Sequence, residues 1–225
     1  MIAERATGII LRTRPLTDTS LIVQWLTPDL GRLSTVAKGA RRPKSPFRGQ
    51  IDLFYNADFS FVRSARSQLH TLREVRLLET HAPLRQNLTH LQQAAYCAKL
   101  IEQTTETETP LPVLFDIFNG LLREISHHPA QPQTVFAFEV KLLNELGLNP
   151  DPSDESLTSG VKQLIKQFGT LDWPALMQSD SDTDIPVCAG QHRQECLCHL
   201  RRFLHNFIIQ HLERIPTGRH RALNP

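Results

Sequence analysis

A chain of 225 residues has room for one large domain or two small ones. Its 40% hydrophobic and 21% charged residues describe an ordinary globular protein and exclude a disordered one. The net charge of +2 hides an uneven distribution: residues 1–80 carry 13 Lys/Arg against 7 Asp/Glu, residues 81–187 carry 6 against 14, and residues 188–225 carry 6 against 2. Basic ends around an acidic middle predict a division of labour in which a polyanion partners the ends. No apolar run approaches a bilayer span, so no membrane partner is expected. Glu4 and Arg5 before a short alternating run do not make a signal peptide. Four cysteines imply no disulfide framework and suit a reducing compartment, so the expected location is cytoplasmic.

From Thr7 to Glu79 the pattern is short and β-like. Ile9-Ile10-Leu11 opens a first strand running toward Arg12 and Arg14, and Pro15 to Asp18 turns the chain. Leu21 to Leu26 makes the second strand, Thr27 to Gly31 a strong turn, and Arg32 to Ala37 an alternating third. Ile51 to Val62 is apolar and aromatic with a break near Asn56, and Leu69 to Leu78 closes the set. Five short strands in about 75 residues predict a small barrel, and five is the strand number of the OB-fold. The count alone does not separate that fold from an SH3-like barrel.

Between the third and fourth strands lies Lys38-Gly39-Ala40-Arg41-Arg42-Pro43-Lys44-Ser45-Pro46-Phe47-Arg48-Gly49. Two glycines and two prolines forbid a continuous helix or central strand, so this is a loop. Five of its twelve residues are cationic and none is acidic. Clustered cations with one aromatic suit a polyphosphate backbone with stackable bases. The bland reading is a solvated loop that keeps the protein soluble. Arg12, Arg14 and Arg32 on strand ends, together with Lys38, Arg41, Arg42, Lys44 and Arg48, are expected to form one basic face. Phe47, Trp25 and Tyr55 are the candidates for base stacking; core packing is the simpler role for the last two.

At His81-Ala82-Pro83 the period turns helical. Leu84, Leu88, Leu91, Ala95, Ala98 and Ile101 form one apolar stripe, Thr104 to Pro110 is a polar, acidic break, and Leu111 to Ile125 resumes. Pro132 opens a third helix that ends at Gly147; it is apolar nearly all round and is expected to be the most buried. Val161 to Phe168 is a short helix. Residues 179–186 form an acidic linker, and residues 194–215 a last helix whose outer face carries Arg193, Arg201, Arg202 and Arg214. The expected organisation is α+β in two parts: a five-stranded OB-fold β-barrel over 1–80 and an all-α helical domain over 81–225. Arg201 and Arg202 are candidates for a second cationic surface that could hold a nucleic-acid strand.

No phosphate-binding, dinucleotide, zinc-protease or nucleophile-elbow motif is present, so a binding protein and not an enzyme is expected. Asp180, Asp182 and Asp184 lack the glycine and distal glutamate of a calcium loop. Cys188, His192, Cys196 and Cys198 do not supply two paired ligand motifs. Buried cysteines and surface histidines are favoured there over a degenerate zinc site, and no cofactor is expected.

Thr7-Gly8-Ile9-Ile10-Leu11-Arg12, then Thr27 to Arg32, then Val36-Ala37-Lys38-Gly39-Ala40-Arg41 resemble the N-terminal domain of the RecO family of bacterial recombination mediators. Phe138-Glu139-Val140-Lys141-Leu142-Leu143-Asn144-Glu145-Leu146-Gly147-Leu148 resembles that family's central helix motif, and Ile215 to Leu223 is a looser match to its end. The four-cysteine zinc module that many members carry after the central motif is missing: Asn149 to Asp154 stands in its place. The resemblance implies a non-enzymatic protein that binds single- and double-stranded DNA and anneals complementary strands. With the RecR protein and the single-stranded-DNA-binding protein, it would load recombinase onto coated DNA. It also implies an apolar pocket in the helical domain, rimmed by cations, for the acidic tail of the single-stranded-DNA-binding protein; Lys99, Arg123 and Lys141 are the candidate rim. The rival readings are an RNA-binding OB-fold protein and an adaptor whose basic loop docks an acidic protein.

Overall fold

The structure, a computed structural model, describes residues 3–150, 157–178 and 191–224, with the side chains of residues 191 and 192 excepted. The chain divides into two compact units. One is Met1–Ala82 with Thr104–Asn119, and the other is Pro83–Gln103 with Gly120–Pro225.

The first unit is built on five strands, β1 (Ala3–Pro15), β2 (Leu21–Thr27), β3 (Gly31–Ala37), β4 (Asn56–Val62) and β5 (Leu69–Glu79). They close in the order β1-β2-β3-β5-β4, which is the OB-fold barrel expected from the sequence. The long β1 serves both sides of the closure: Ala3–Ile9 pairs with β4, and Ile9–Pro15 pairs with β2 through a bulge between Ile10 and Arg12. β3 meets β5 in parallel over Ser34–Val36 and Leu69–Thr71 only.

Inside, Trp25 stacks on Phe59 with ring centroids 4.0 Å apart, and its indole N–H donates to Thr35 Oγ1 at 2.9 Å. Ile10, Val23, Leu33, Phe61 and Leu72 complete this core. Ile22 and Leu26, on the opposite face of β2, are buried as well, which is why the second strand reads as a nearly unbroken apolar run rather than an alternation.

The acidic stretch read as a break between helices belongs to the barrel's unit. Thr107 forms a parallel bridge with Arg32, and the Glu108 N–H donates to the Arg32 carbonyl at 2.8 Å. The stretch therefore runs as a strap along the part of β3 that β5 leaves unpaired. It fits only because residue 31 is glycine: a Cβ there would lie 1.7 Å from the Thr109 carbonyl oxygen, and φ is +64°.

The strap's Glu108 is held twice. The Ser64 N–H donates to Nδ1 of buried His70, so the ring proton sits on Nε2 and is donated to Glu108 at 2.8 Å. Arg63 reaches Glu108 at 2.7 Å and Glu4 at 2.9 Å. Its hydrogen bonds hold the Glu4 carboxyl below the usual value.

The second unit is helical: α1 (Leu88–Thr104), the latter part of α2 (Pro112–Glu124), α3 (Pro132–Glu145), α4 (Ser159–Thr170), α5 (Trp173–Gln178), α6 (Gln191–Leu212) and α7 (Arg219–Ala222). As its composition predicts, α3 is buried nearly throughout, and it packs on α4 and α6. Its one buried carboxylate, Glu139, accepts from Arg219 and from Tyr96. Among the described residues, no helix is long and apolar enough to cross a membrane. The acidic linker at 179–186 lies outside the described residues.

Candidate nucleic-acid interface

Strand register assembles the site. Pro15 faces Leu21 and Leu21 faces Ala37, so the β1–β2 turn and the β3–β4 connection leave the same end of the barrel. Arg14 lies opposite Ile22, itself opposite Val36, and Arg12 lies opposite Gln24, itself opposite Ser34. The glycines and prolines of the connection make it a chain of turns. The N–H groups of Ala40, Arg42, Ser45, Arg48 and Gln50 each donate to the carbonyl three residues earlier.

Arg41 staples the connection to the β1–β2 turn. Its backbone N–H donates to Thr19 O at 3.0 Å and its guanidinium to Thr17 O at 3.2 Å. Lys38, Arg41, Arg42, Lys44 and Arg48 are all exposed, as are Arg12 and Arg14. Among the described residues, none of Arg14, Lys38, Arg41, Arg42, Lys44 and Arg48 pairs with a carboxylate. Across these two connections and the strand end leading into them, seven cations face two carboxylates, Asp18 and Asp52. The potential at this end is therefore strongly positive.

Two of the expected residues do not join. Arg32 sits at the other end of β3, half-buried, donating through Nε to Thr105 Oγ1 at 2.7 Å and through its terminal nitrogen to the Thr105 carbonyl. It holds the strap and does not face solvent at the basic end. Phe47 is 7% exposed and belongs to the barrel core, because folding the loop back over the barrel's end buries its ring for about 1.5–3 kcal/mol. That position removes it as a stacking surface. Trp25 is fully buried, and Tyr55 is half-buried against the same core.

In the helical unit, Arg201 and Arg202 line a cleft of about 420 Å³ together with His205, His220, Ile215 and Leu223. It is cationic at the rim and aliphatic within. Among the described residues, Lys99, Arg123 and Lys141 line neither this cleft nor those beside Trp173, Leu157 and Cys196. The Lys141 ammonium donates to Leu171 O and lies 5.8 Å from the Trp173 ring centroid; burial lowers its pKa. Lys99 donates to Thr217.

Cys196 is buried and Cys198 exposed, while Cys188 and the His192 side chain lie outside the described residues. Among the described residues, no cluster of three or more His, Cys, Asp or Glu could hold a metal ion.

Residues 1–81 match the family model described as recombination protein O, N-terminal, and residues 85–168 match the one described as recombination protein O, C-terminal. The chain is 34% identical over 143 residues to the DNA repair protein RecO of Rhodopirellula baltica, covering 64% of this chain and 53% of that protein. Identity is 30% over 147 residues with the DNA repair protein RecO of Listeria monocytogenes, covering 65% and 57%. With that of Bacillus pumilus it is 26% over 214 residues, covering 94% and 80%. The first two matches thus span little more than half of each relative's length.

Proposed function

The chain belongs to the RecO family, and from that premise we propose that it is a DNA-binding mediator of repair and recombination whose barrel takes the phosphate backbone at its basic end. The observation that carries this reading is the exposed cation cluster of Arg14, Lys38, Arg41, Arg42, Lys44 and Arg48, held in place by hydrogen-bonded turns and, among the described residues, unneutralised by carboxylates.

Two complementary strands repel one another through their phosphates, and a cationic surface that neutralises one strand lowers that barrier. The Arg201–Arg202 cleft supplies a second cationic surface for the complementary strand. Annealing, recombinase loading, and engagement of RecR and the single-stranded-DNA-binding protein belong to the same proposal, supported by family membership. A binding function without enzymatic chemistry accords with the absence of a catalytic motif in the sequence.

The test is charge reversal of Arg41, Arg42 and Lys44 together, with binding followed across salt concentrations on single-stranded DNA, duplex and RNA. If about five phosphates are contacted on a single strand, the log–log salt slope is roughly −3 to −4, and the triple variant flattens it by about 2. Unchanged affinity and slope would remove the loop from the mechanism. RNA bound in preference to DNA would favour the RNA-binding reading. Annealing of labelled complementary oligonucleotides then measures the activity itself.

A further inference from the structure

With Phe47 and Trp25 in the core and Tyr55 packed against it, none of the expected aromatics is displayed at the basic end. A large apolar side chain is nonetheless displayed there. Leu16, the first residue of the β1–β2 turn, is 46% exposed, one of five large apolar residues standing out among those described. It lies two residues from Arg14, in the turn that Arg41 staples to the basic loop.

The turn is rigid. The Leu16 N–H donates to Ser20 O at 3.0 Å, the Ser20 N–H returns to Thr17 Oγ1 at 3.1 Å, and Pro15 fixes the chain just before Leu16. An exposed leucine alone is ordinary. One held at the start of a hydrogen-bonded turn, among seven cations, presents an apolar surface where bases follow from bound phosphates.

We propose that Leu16 is the base-contacting residue of the basic end, packing on the faces of unpaired nucleobases while Arg14, Arg41 and Arg42 hold the phosphates. This rests on the DNA-binding reading above and adds to it a preference for single strands, because stacked bases in a duplex offer no open face to an aliphatic side chain. Such a contact is sequence-tolerant and insensitive to salt.

The experiment compares Leu16→Ser, Leu16→Trp and the Arg41/Arg42/Lys44 reversal in the full chain, using fluorescence anisotropy with a labelled single-stranded oligonucleotide and the matching duplex at several salt concentrations. Leu16→Ser is expected to weaken single-strand binding about three- to tenfold, leaving the salt slope and the duplex affinity where they were. The tryptophan of Leu16→Trp is expected to be quenched by the single strand and not by the duplex.

Loss of single-strand and duplex binding in equal measure, or an unquenched tryptophan, overturns the assignment. So does an unaltered Leu16→Ser affinity when the charge reversal abolishes binding, and in that case the DNA-binding reading survives. If neither the serine variant nor the reversal changes binding, the basic end is not the DNA surface and the assignment falls with it; if the unaltered protein binds neither single strand nor duplex, the DNA-binding reading itself fails.

Discussion

Arg219 grips Glu139 with two parallel hydrogen bonds, Nε to Oε1 at 2.7 Å and a terminal nitrogen to Oε2 at 2.8 Å, in a site where the carboxylate is fully buried. Tyr96 adds its hydroxyl to Oε1 at 2.6 Å. These three residues bind α7, α3 and α1 together, Glu139 lying 43 residues beyond Tyr96 and Arg219 another 80 beyond Glu139. Removing one member of a buried ion pair leaves the other charged and unpaired, which costs about 3–5 kcal/mol, whereas removing both costs less. Arg219→Ala and Glu139→Ala are each expected to lower the urea midpoint sharply. The double variant should be less destabilised than the sum, and a double-mutant cycle in urea reads the difference. Burial raises the Tyr96 hydroxyl well above its usual value, with the Glu139 charge adding to the effect. The unfolded chain therefore loses that proton first, and stability falls as pH rises past about 10. Tyr96→Phe should remove that alkaline component.

Gly31 and Gly49 share the left-handed region, with φ of +64° and +73°, yet they should respond differently to alanine. At Gly49 nothing lies within 4 Å of an added Cβ, so the substitution costs only the backbone penalty of about 1–2 kcal/mol. At Gly31 the same penalty is joined by a collision with the Thr109 backbone. Relief requires the strap to lift from β3, with loss of the Glu108–Arg32 bond. Gly31→Ala should therefore lower the unfolding midpoint clearly more than Gly49→Ala. It should also raise hydrogen exchange at the Glu108 amide, which the Gly49 variant leaves protected.

The barrel was legible because its signals are local: alternation in Arg32–Ala37, a strong turn at Thr27–Gly31, and a break at Asn56 where β4 begins. α3 was legible because an apolar surface on every side has nowhere to go but inward. The strap was not, since Thr104–Pro110 is polar and its partners, Arg32, Arg63 and His70, lie 38 or more residues away. Phe47 misled for a related reason: glycine and proline identify a loop, but where its aromatic points is set by the barrel beneath it. One signal was available and unused. A carboxylate in the middle of the apolar helix 132–145, Glu139 between Phe138 and Val140, demands a buried cation, and Arg219, within the family-like tail, was the missing half.

Phe47 also separates packing from contact at the basic loop. Its ring closes the barrel core beside Ala37, Phe59 and Phe61, so Phe47→Ala should destabilise by about 3–5 kcal/mol through lost burial and the cavity left behind. Phe47→Leu, which keeps most of the volume, should lose far less. Because the side chain faces inward, the leucine variant is expected to bind single-stranded DNA with wild-type affinity at temperatures where it is folded. Thermal unfolding and anisotropy on the same samples check both halves. A folded Phe47→Leu protein with much weakened DNA binding would mean that the ring swings out to meet the strand.

On the acid side, His90 should dominate a window that the carboxylates do not reach. Its ring is 5% exposed in the helical unit, and burial lowers its pKa against a smaller opposing effect from a His128 backbone hydrogen bond. In the unfolded chain the imidazole takes up a proton near pH 6.5. The folded state resists it, so the unfolded state binds more protons and stability falls as pH drops below that value. Glu4, hydrogen-bonded by Arg63, and Asp58, hydrogen-bonded first by Thr7 and then by Arg76, act in the same direction at lower pH; their stabilisation is present above the unfolded carboxylate range and is lost as pH falls through their lowered values. His90→Gln removes the titrating group while keeping a polar side chain of similar length. Urea midpoints measured from pH 7.5 down to pH 5 should decline for the wild type and stay nearly level for this variant until the carboxylates begin to titrate. Parallel slopes for the two proteins across that window would show that the buried ring is not what the falling pH acts on.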